Sequence, residues 1–221
     1  MDPSSIARRT LSHYERGAEE FWEGTRTHDV TQNYAALLSA IEGSPPFRIL
    51  DLGCGPGRDL AWFRAAGHHV VGVDGSAAFV GMASEHAGVE VLHQDMTALS
   101  LGARRFEGVF ANASLFHVPT VALPTLLAEL HRALVPRGVL FMSNPRGDEE
   151  EGFRGDRYGC YRELDGWRRQ VEPAGFELVT HYYRPEGRPR AEQPWLAIVF
   201  RRVEIARGPL RWRAVRATTH R

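Results

Sequence analysis

Residues 47–58 read Phe47-Arg48-Ile49-Leu50-Asp51-Leu52-Gly53-Cys54-Gly55-Pro56-Gly57-Arg58. A short apolar run ends in a glycine-rich turn. Leu60, Trp62, Phe63 and Ala66 then lie along a helix that Gly67 closes. The order is strand, tight loop, helix. Outward from it the alternation continues: Val70 to Asp74 is a second strand, and Ser76 caps a helix through about His86. Val89 to His93 and Phe106 to Asn112 are the third and fourth strands. A helix over Pro124 to Leu134 carries Leu123, Leu127, Leu130 and Leu134 on one face, with Pro124 suited to its first turn. The turn Pro136-Arg137-Gly138 leads to a fifth strand, Val139 to Ser143. A helix near Leu164 to Pro173 precedes Phe176 to Tyr183, and a last strand spans about Trp195 to Val203. The pattern predicts an α/β fold, doubly wound around a mostly parallel sheet. The final two strands have no helix between them and should form an antiparallel hairpin.

Before residue 47, Tyr14, Ala18, Phe21 and Trp22 recur at helical spacing, and Tyr34, Leu37, Leu38 and Ile41 do so again. Two helices are expected there, with Asp29 as N-cap of the second and Gly43-Ser44-Pro45-Pro46 closing it. The chain divides into an N-terminal helical cap (1–45), a main domain (46–203) and a peripheral Arg-rich tail (204–221).

A chain of 221 residues suits one such domain, and 43% hydrophobic content supplies its core. The net charge of +0 gives no field to attract nucleic acid or an anionic membrane. Every basic residue is Arg, so neither Schiff-base nor P-loop lysine chemistry is available. Cys54 and Cys160 make no disulfide framework, and no His/Cys/carboxylate spacing suits a metal. The start lacks the apolar run of a signal peptide and no stretch reaches bilayer-spanning length, so the cytoplasm is expected.

The glycine loop admits three readings. It could be a tight turn without a ligand. A dinucleotide site wants G-x-G-x-x-G, but Arg58 stands three after Gly55. The third reading is an S-adenosylmethionine site, with Gly53-x-Gly55-x-Gly57 and an acid, Asp51, two before the first glycine. Adenosylmethionine carries an ammonium and a sulfonium that suit Asp51, where a pyrophosphate would be repelled. Asp74, ending the second strand, can accept both ribose hydroxyls. Asp95, in His93-Gln94-Asp95-Met96, can accept the adenine amino hydrogens beside an apolar wall from Met96. Acids at the ends of three consecutive strands favour this third reading.

With these residues the sequence resembles the class I, Rossmann-like S-adenosylmethionine-dependent methyltransferases of small-molecule type, over roughly residues 30–203. Ile49 to Gly57 resembles the family's first motif, Val73-Asp74-Gly75-Ser76 its ribose segment and Gln94-Asp95-Met96 its adenine segment. Phe106 to Val118 is similar to the fourth-strand motif, and Leu134-Val135-Pro136-Arg137-Gly138-Val139-Leu140 to the turn before strand five. The resemblance implies a seven-stranded sheet with its last strand inserted antiparallel. It also implies direct methyl transfer and a cofactor held by Asp51, Gly53, Cys54, Gly55, Gly57, Asp74, Gly75, Ser76, Gln94, Asp95, Met96, Asn112 and Ser114. Because transfer depends mainly on alignment, no universal catalytic residue is implied; His117 is the candidate general base.

In such a fold the acceptor lies over the methyl group, enclosed by the N-terminal helices and the loops after strands four and five. Candidate acceptor-binding residues are Tyr14, Trp22, His28, His117, Asn144, Arg146, Tyr158, Tyr161, Tyr183 and Arg184, with Phe21 and Tyr182 in support. Tyr14 and Trp22 equally suit a core, and Arg146 and Arg184 equally suit surface ion pairs. Asp148 to Phe153 reads as a solvated loop. Asn144-Pro145-Arg146 follows the fifth strand rather than the fourth and lacks an aromatic, which argues against nucleic-acid amino methylation. An RNA or protein methyltransferase, supported by Arg207, Arg211, Arg213, Arg216 and Arg221, remains open, as does a non-catalytic adenosylmethionine sensor.

Overall fold

The computed structural model describes residues 2–204, so the Arg-rich tail lies outside the described residues except for Glu204. Three helices open the chain: α1 (Pro3–Arg16), α2 (Ala18–Thr25) and α3 (Thr31–Ala40). The expected first helix is therefore two, parted at Gly17, where φ of −112° leaves the helical region. Asp2 caps α1 by accepting the Ser5 N–H. Asp29 stands one residue outside the N-cap of α3, and its carboxylate accepts the Thr31 N–H at 2.9 Å.

Then follow β1 (Arg48–Leu52), α4 (Arg58–Ala65), β2 (His69–Asp74), α5 (Ala77–Ala87), β3 (Val91–His93), β4 (Phe106–Asn112), α6 (Leu123–Ala133) and β5 (Leu134–Pro145). The chain continues through β6 (Glu150–Arg154), β7 (Arg157–Tyr161), α7 (Leu164–Val171), β8 (Phe176–Arg184) and β9 (Trp195–Arg202). The main sheet runs β3-β2-β1-β4-β5-β9-β8. Parallel pairing holds from β3 to β5, and β9 is antiparallel to both its neighbours. This is the expected seven-stranded sheet with its last strand inserted. Strand order reverses between β1 and β4, and the crevice outside their carboxyl ends is where such sheets bind ligands.

Alternation along the central strands sends side chains to two cores. Leu50, Val109 and Leu140 meet Leu126, Leu127 and Leu130 of α6 and Trp167 of α7 on one face. Ile49, Phe110 and Phe141 meet Leu37 of α3 and Phe63 of α4 on the other. Phe110 and Phe141 stack there with centroids 4.9 Å apart.

Two expectations change. The turn Pro136-Arg137-Gly138 does not precede β5 but lies inside it, as an irregularity. Leu134 already pairs with Phe106, the register shifts before Gly108 pairs with Val139, and Arg137 takes φ of +61°. The acidic run from Asp148 to Glu151 is exposed, as expected, but is not all loop: Glu150 to Arg154 forms β6, paired antiparallel with β7 in a separate hairpin. Glu151 is bound there by the Thr120 N–H at 2.9 Å, the Tyr158 hydroxyl and the Arg162 guanidinium. The hairpin packs on α1: Thr10 accepts the Tyr158 N–H at 3.1 Å, and Arg9 and Arg16 both pair with Asp156. Among the described residues no helix is long and apolar enough to cross a membrane.

Phe110 is 0% exposed at the centre of the second core. Phe110→Ala should cost about 3–5 kcal/mol, read as a lowered urea midpoint with unchanged slope. A loss below about 1 kcal/mol would show that this face is not close-packed.

Candidate functional site

The loop after β1 hangs on β2, with the Gly53 and Cys54 N–H groups both donating to the Val73 carbonyl at 2.8 and 3.0 Å. Its glycines do different work. Gly53 takes φ of +73° and faces Ser114 so closely that a Cβ would stand 2.4 Å from the Ser114 Cβ. Gly57, at φ of +96°, lies against α5, where a Cβ would meet the Ala83 Cα at 2.8 Å. It allows α4 and α5 to approach and is not part of the cavity wall, contrary to the expectation that it touches a ligand.

Three carboxylates gather beneath the loop. Asp74 accepts the Gly55 N–H through one oxygen and the Ser76 N–H through the other, both at 2.9 Å, and burial raises its pKa. Asp59 accepts the Tyr34 hydroxyl at 2.6 Å, the Arg58 guanidinium at 2.7 and 3.0 Å and the Asn112 amide at 3.3 Å. Asn112 in turn accepts from Asn33 at 2.9 Å, and Asn33 from the Tyr182 hydroxyl at 2.8 Å. Asp51 is 1% exposed, and its Oδ2 has no hydrogen-bond partner among the described residues. Burial first, then the charges of Asp59 and Asp74, push its pKa well above the usual carboxylate range. Arg58 is the cation within this group, and it also donates to the Thr25 carbonyl at 2.9 Å.

Above the carboxylates lies a cavity of about 600 Å³. Of the expected cofactor residues, Gly53, Cys54, Gly55, Asp74, Gly75, Asp95, Met96, Asn112 and Ser114 line it. Of the expected acceptor residues, Tyr14, Trp22, His28, His117 and Arg184 do so. Helices α1 and α2 roof it. Leu11 covers Gly75, where a Cβ would meet the leucine at 2.7 Å, and Phe21 faces Gly55. Glu15 accepts the Ser76 hydroxyl at 2.5 Å and the Ala78 N–H at 3.1 Å, seating α1 on the start of α5.

Other expected residues stand behind the wall. Asp51 is beneath the floor. Ser76 caps α5, its side chain accepting the Phe79 N–H at 3.2 Å. Gln94 closes its own loop on the Ser100 backbone at 2.9 and 3.1 Å. Asn144 is buried and accepts the Phe116 N–H at 3.1 Å. Arg146 pairs with Glu163 at 2.8 Å and donates to the Arg190 and Gln193 carbonyls, so its charge is already engaged. Tyr158 turns its hydroxyl to Glu151, Tyr161 lies under Arg154, and Tyr183 is sandwiched by Arg146 and Arg190. Phe79, Asp59, Phe116, Arg157 and Trp195 line the cavity without having been singled out. Asp59 was within reach, two residues past Gly57; the others are brought in by tertiary contacts that no local pattern announces.

His117 sits in the wall between two partners. Its Nδ1 is 2.5 Å from the Tyr158 carbonyl, which only accepts, so Nδ1 carries the proton. Nε2 therefore accepts, from the Tyr14 hydroxyl at 2.8 Å. Burial brings the imidazole pKa down to about 4.

Residues 49–138 match the family described as a methyltransferase domain. Over 124 residues the chain is 37% identical to trans-aconitate 2-methyltransferase of Azoarcus sp. (strain BH72), covering 53% of this chain and 47% of that protein. It is 28% identical over 134 residues to malonyl-[acyl-carrier protein] O-methyltransferase of Pectobacterium atrosepticum, covering 60% and 51%. The chain thus spans about half the length of the curated relatives it matches. The fold superposes on 1,6-didemethyltoxoflavin-N1-methyltransferase of Burkholderia thailandensis with a TM-score of 0.76 at 24% identity, over 92% of each chain.

A folded-state pKa of about 4 against 6.5 in the unfolded chain means that protons favour unfolding. The contribution of His117 is complete above pH 6.5 and is lost as the pH falls toward 4, about 3 kcal/mol over the whole window. Urea titrations at pH 7 and pH 5 should show His117→Asn losing about 2 kcal/mol less than the parent. Equal losses would mean that the imidazole is not buried neutral.

Proposed function

We propose that this chain, a member of the class I S-adenosylmethionine-dependent methyltransferases, transfers a methyl group to an O, N or S nucleophile of a small molecule. The observation that carries the reading is the unpartnered, fully buried Asp51 Oδ2 beneath a cavity at the strand-order reversal. With Asp51 held toward its neutral form by burial and by the charges of Asp59 and Asp74, this floor disfavours an anion and suits a cationic ligand. A sulfonium bearing an ammonium suits it; a pyrophosphate does not.

The remaining walls fit the same molecule. Asp74, between the Gly55 and Ser76 amides, presents a charged acceptor to ribose hydroxyls. Asp95, Met96 and Phe79 offer one acceptor and two apolar surfaces to an adenine ring. When bound, this cofactor supplies the electrophilic methyl group. The protein's part is to align the nucleophile and exclude water, which the roof of α1 and α2 would do.

We assign to the acceptor the part of the cavity lined by Ser143, Trp195, His28 and Arg184, with Tyr14 and His117 in its wall. A closed roof favours a small molecule, and trans-aconitate and 1,6-didemethyltoxoflavin, named for two of the relatives, are small. Arg184 donates to the Asp29 carbonyl at 2.6 Å near the Asp29 carboxylate, and among the described residues its other nitrogens make no hydrogen bond, which suits them to an anionic group on the acceptor.

Calorimetry should detect binding of adenosylmethionine and adenosylhomocysteine and none of NAD or NADP. Tighter binding of a nicotinamide cofactor would sink the reading. Asp74→Ala removes a charged hydrogen-bond acceptor and should weaken adenosylhomocysteine about tenfold to a hundredfold. Unchanged affinity would place the ligand elsewhere.

A further inference from the structure

We propose that Tyr14 and His117 form a proton relay, and that the atom methylated by this protein is a hydroxyl or N–H that surrenders its proton to them. The inference rests on the methyl-transfer reading above and deepens it by fixing the class of acceptor.

The geometry dictates the direction of the relay. Because Nδ1–H is committed to the Tyr158 carbonyl, the Nε2 lone pair is the basic site of the ring, and the Tyr14 proton points at it over 2.8 Å. One lone pair of the Tyr14 oxygen faces the Arg157 guanidinium, and the other is left for a donor within the cavity, which all three residues line. The tyrosine ring is fixed by edge contacts to Phe21 and His117, with centroids 5.5 and 5.4 Å away. Burial holds the Tyr14 pKa above its ordinary value, and four other groups bear on the pair. Arg157 of β7 favours loss of the Tyr14 proton, whereas Asp74 and Tyr161 oppose the phenolate. Arg157 and the neighbouring His13 disfavour a charged His117, which keeps the ring neutral and able to accept.

The step balances. The lone pair of the acceptor atom forms the new bond to the methyl carbon, and the carbon–sulfur bonding pair remains on sulfur. The acceptor's proton passes to the Tyr14 oxygen as the tyrosine's own proton moves to Nε2. One positive charge leaves sulfur and one arrives on His117, so the cavity holds the same net charge before and after. Desolvation then returns the proton from the imidazolium to solvent. A carboxylate acceptor has no proton to give at neutral pH and would leave the relay without a task.

Two measurements test this. The first needs no acceptor: ¹⁵N spectra of the imidazole in the adenosylhomocysteine-loaded protein. A neutral ring with the proton on Nδ1 from pH 6 to 8, and an Nε2 signal displaced by Tyr14→Phe, is expected. A ring protonated in that range, or carrying its proton on Nε2, overturns the proposal, since no lone pair would face Tyr14. The second uses labelled adenosylmethionine with matched probes: 2-naphthol against 2-naphthoate, and 7-hydroxycoumarin against coumarin-3-carboxylate. Label should enter the hydroxylated members. Tyr14→Phe should lower kcat about a hundredfold, with adenosylhomocysteine affinity held within about twofold. Label entering the carboxylates, at a rate that Tyr14→Phe leaves unchanged, overturns it. Failure to bind adenosylhomocysteine would instead sink the methyltransferase reading, which the spectra of the unloaded protein distinguish.

Discussion

The carboxylate of Asp59 holds together parts of the chain that the sheet alone would leave independent. It receives Tyr34 from α3, Arg58 from the glycine loop and Asn112 from the end of β4. From Asn112 the chain of bonds runs through Asn33 to Tyr182 on β8, and from Arg58 to the carbonyl that ends α2. Floor, roof and far edge of the sheet thus converge on one acid. A buried carboxylate is tolerable only when its oxygens are satisfied, and this one is. Removing any donor would leave charge unpaired and release the orientation of Asn112.

The contrast with Asp51 explains how the same floor can be both stable and receptive. Asp59 is saturated by the protein, whereas Asp51 keeps an oxygen without a partner. The cost of burying that oxygen raises the pKa of the carboxyl in the unliganded state, and a bound proton or a cationic ligand relieves it. Stability and affinity are therefore set by neighbouring carboxylates with opposite degrees of satisfaction.

The central architecture was legible because its signals are local. A glycine-rich turn after a short apolar run, acids at three strand ends and the alternation of strands with helices allow little besides a doubly wound sheet. The 150–161 hairpin was missed because the acidic run masked it. Its turn signal, Gly155-Asp156 between the paired residues Arg154 and Arg157, was nonetheless present. Among site residues, those on the loop and strand ends were found, while Phe79, Arg157 and Trp195 depend on which helix face or hairpin meets the cavity. Arg146 shows the converse error. A cation without a sequence-local partner finds one seventeen residues away, at Glu163. Tyr158, Tyr161 and Tyr183 are likewise consumed by contacts behind the wall.

The seating of α1 has a consequence for exchange. Its ion pairs, Arg9 and Arg16 to Asp156, are exposed and contribute little each, while the Thr10 hydroxyl accepts the Tyr158 N–H in a buried bond and Glu15 accepts the part-buried Ser76 hydroxyl. Its apolar ties are Ile6, which packs with Phe153, Tyr158 and Cys160 in a small cluster, and Leu11 and Tyr14 beside the neighbouring Phe21. A roof tied mainly to the 150–161 hairpin can move without disturbing the two cores below it, because neither core contains a residue of α1. Dwell time and affinity are then governed by different residues. The floor decides how tightly a ligand is held, and the first twenty-five residues decide how long it stays.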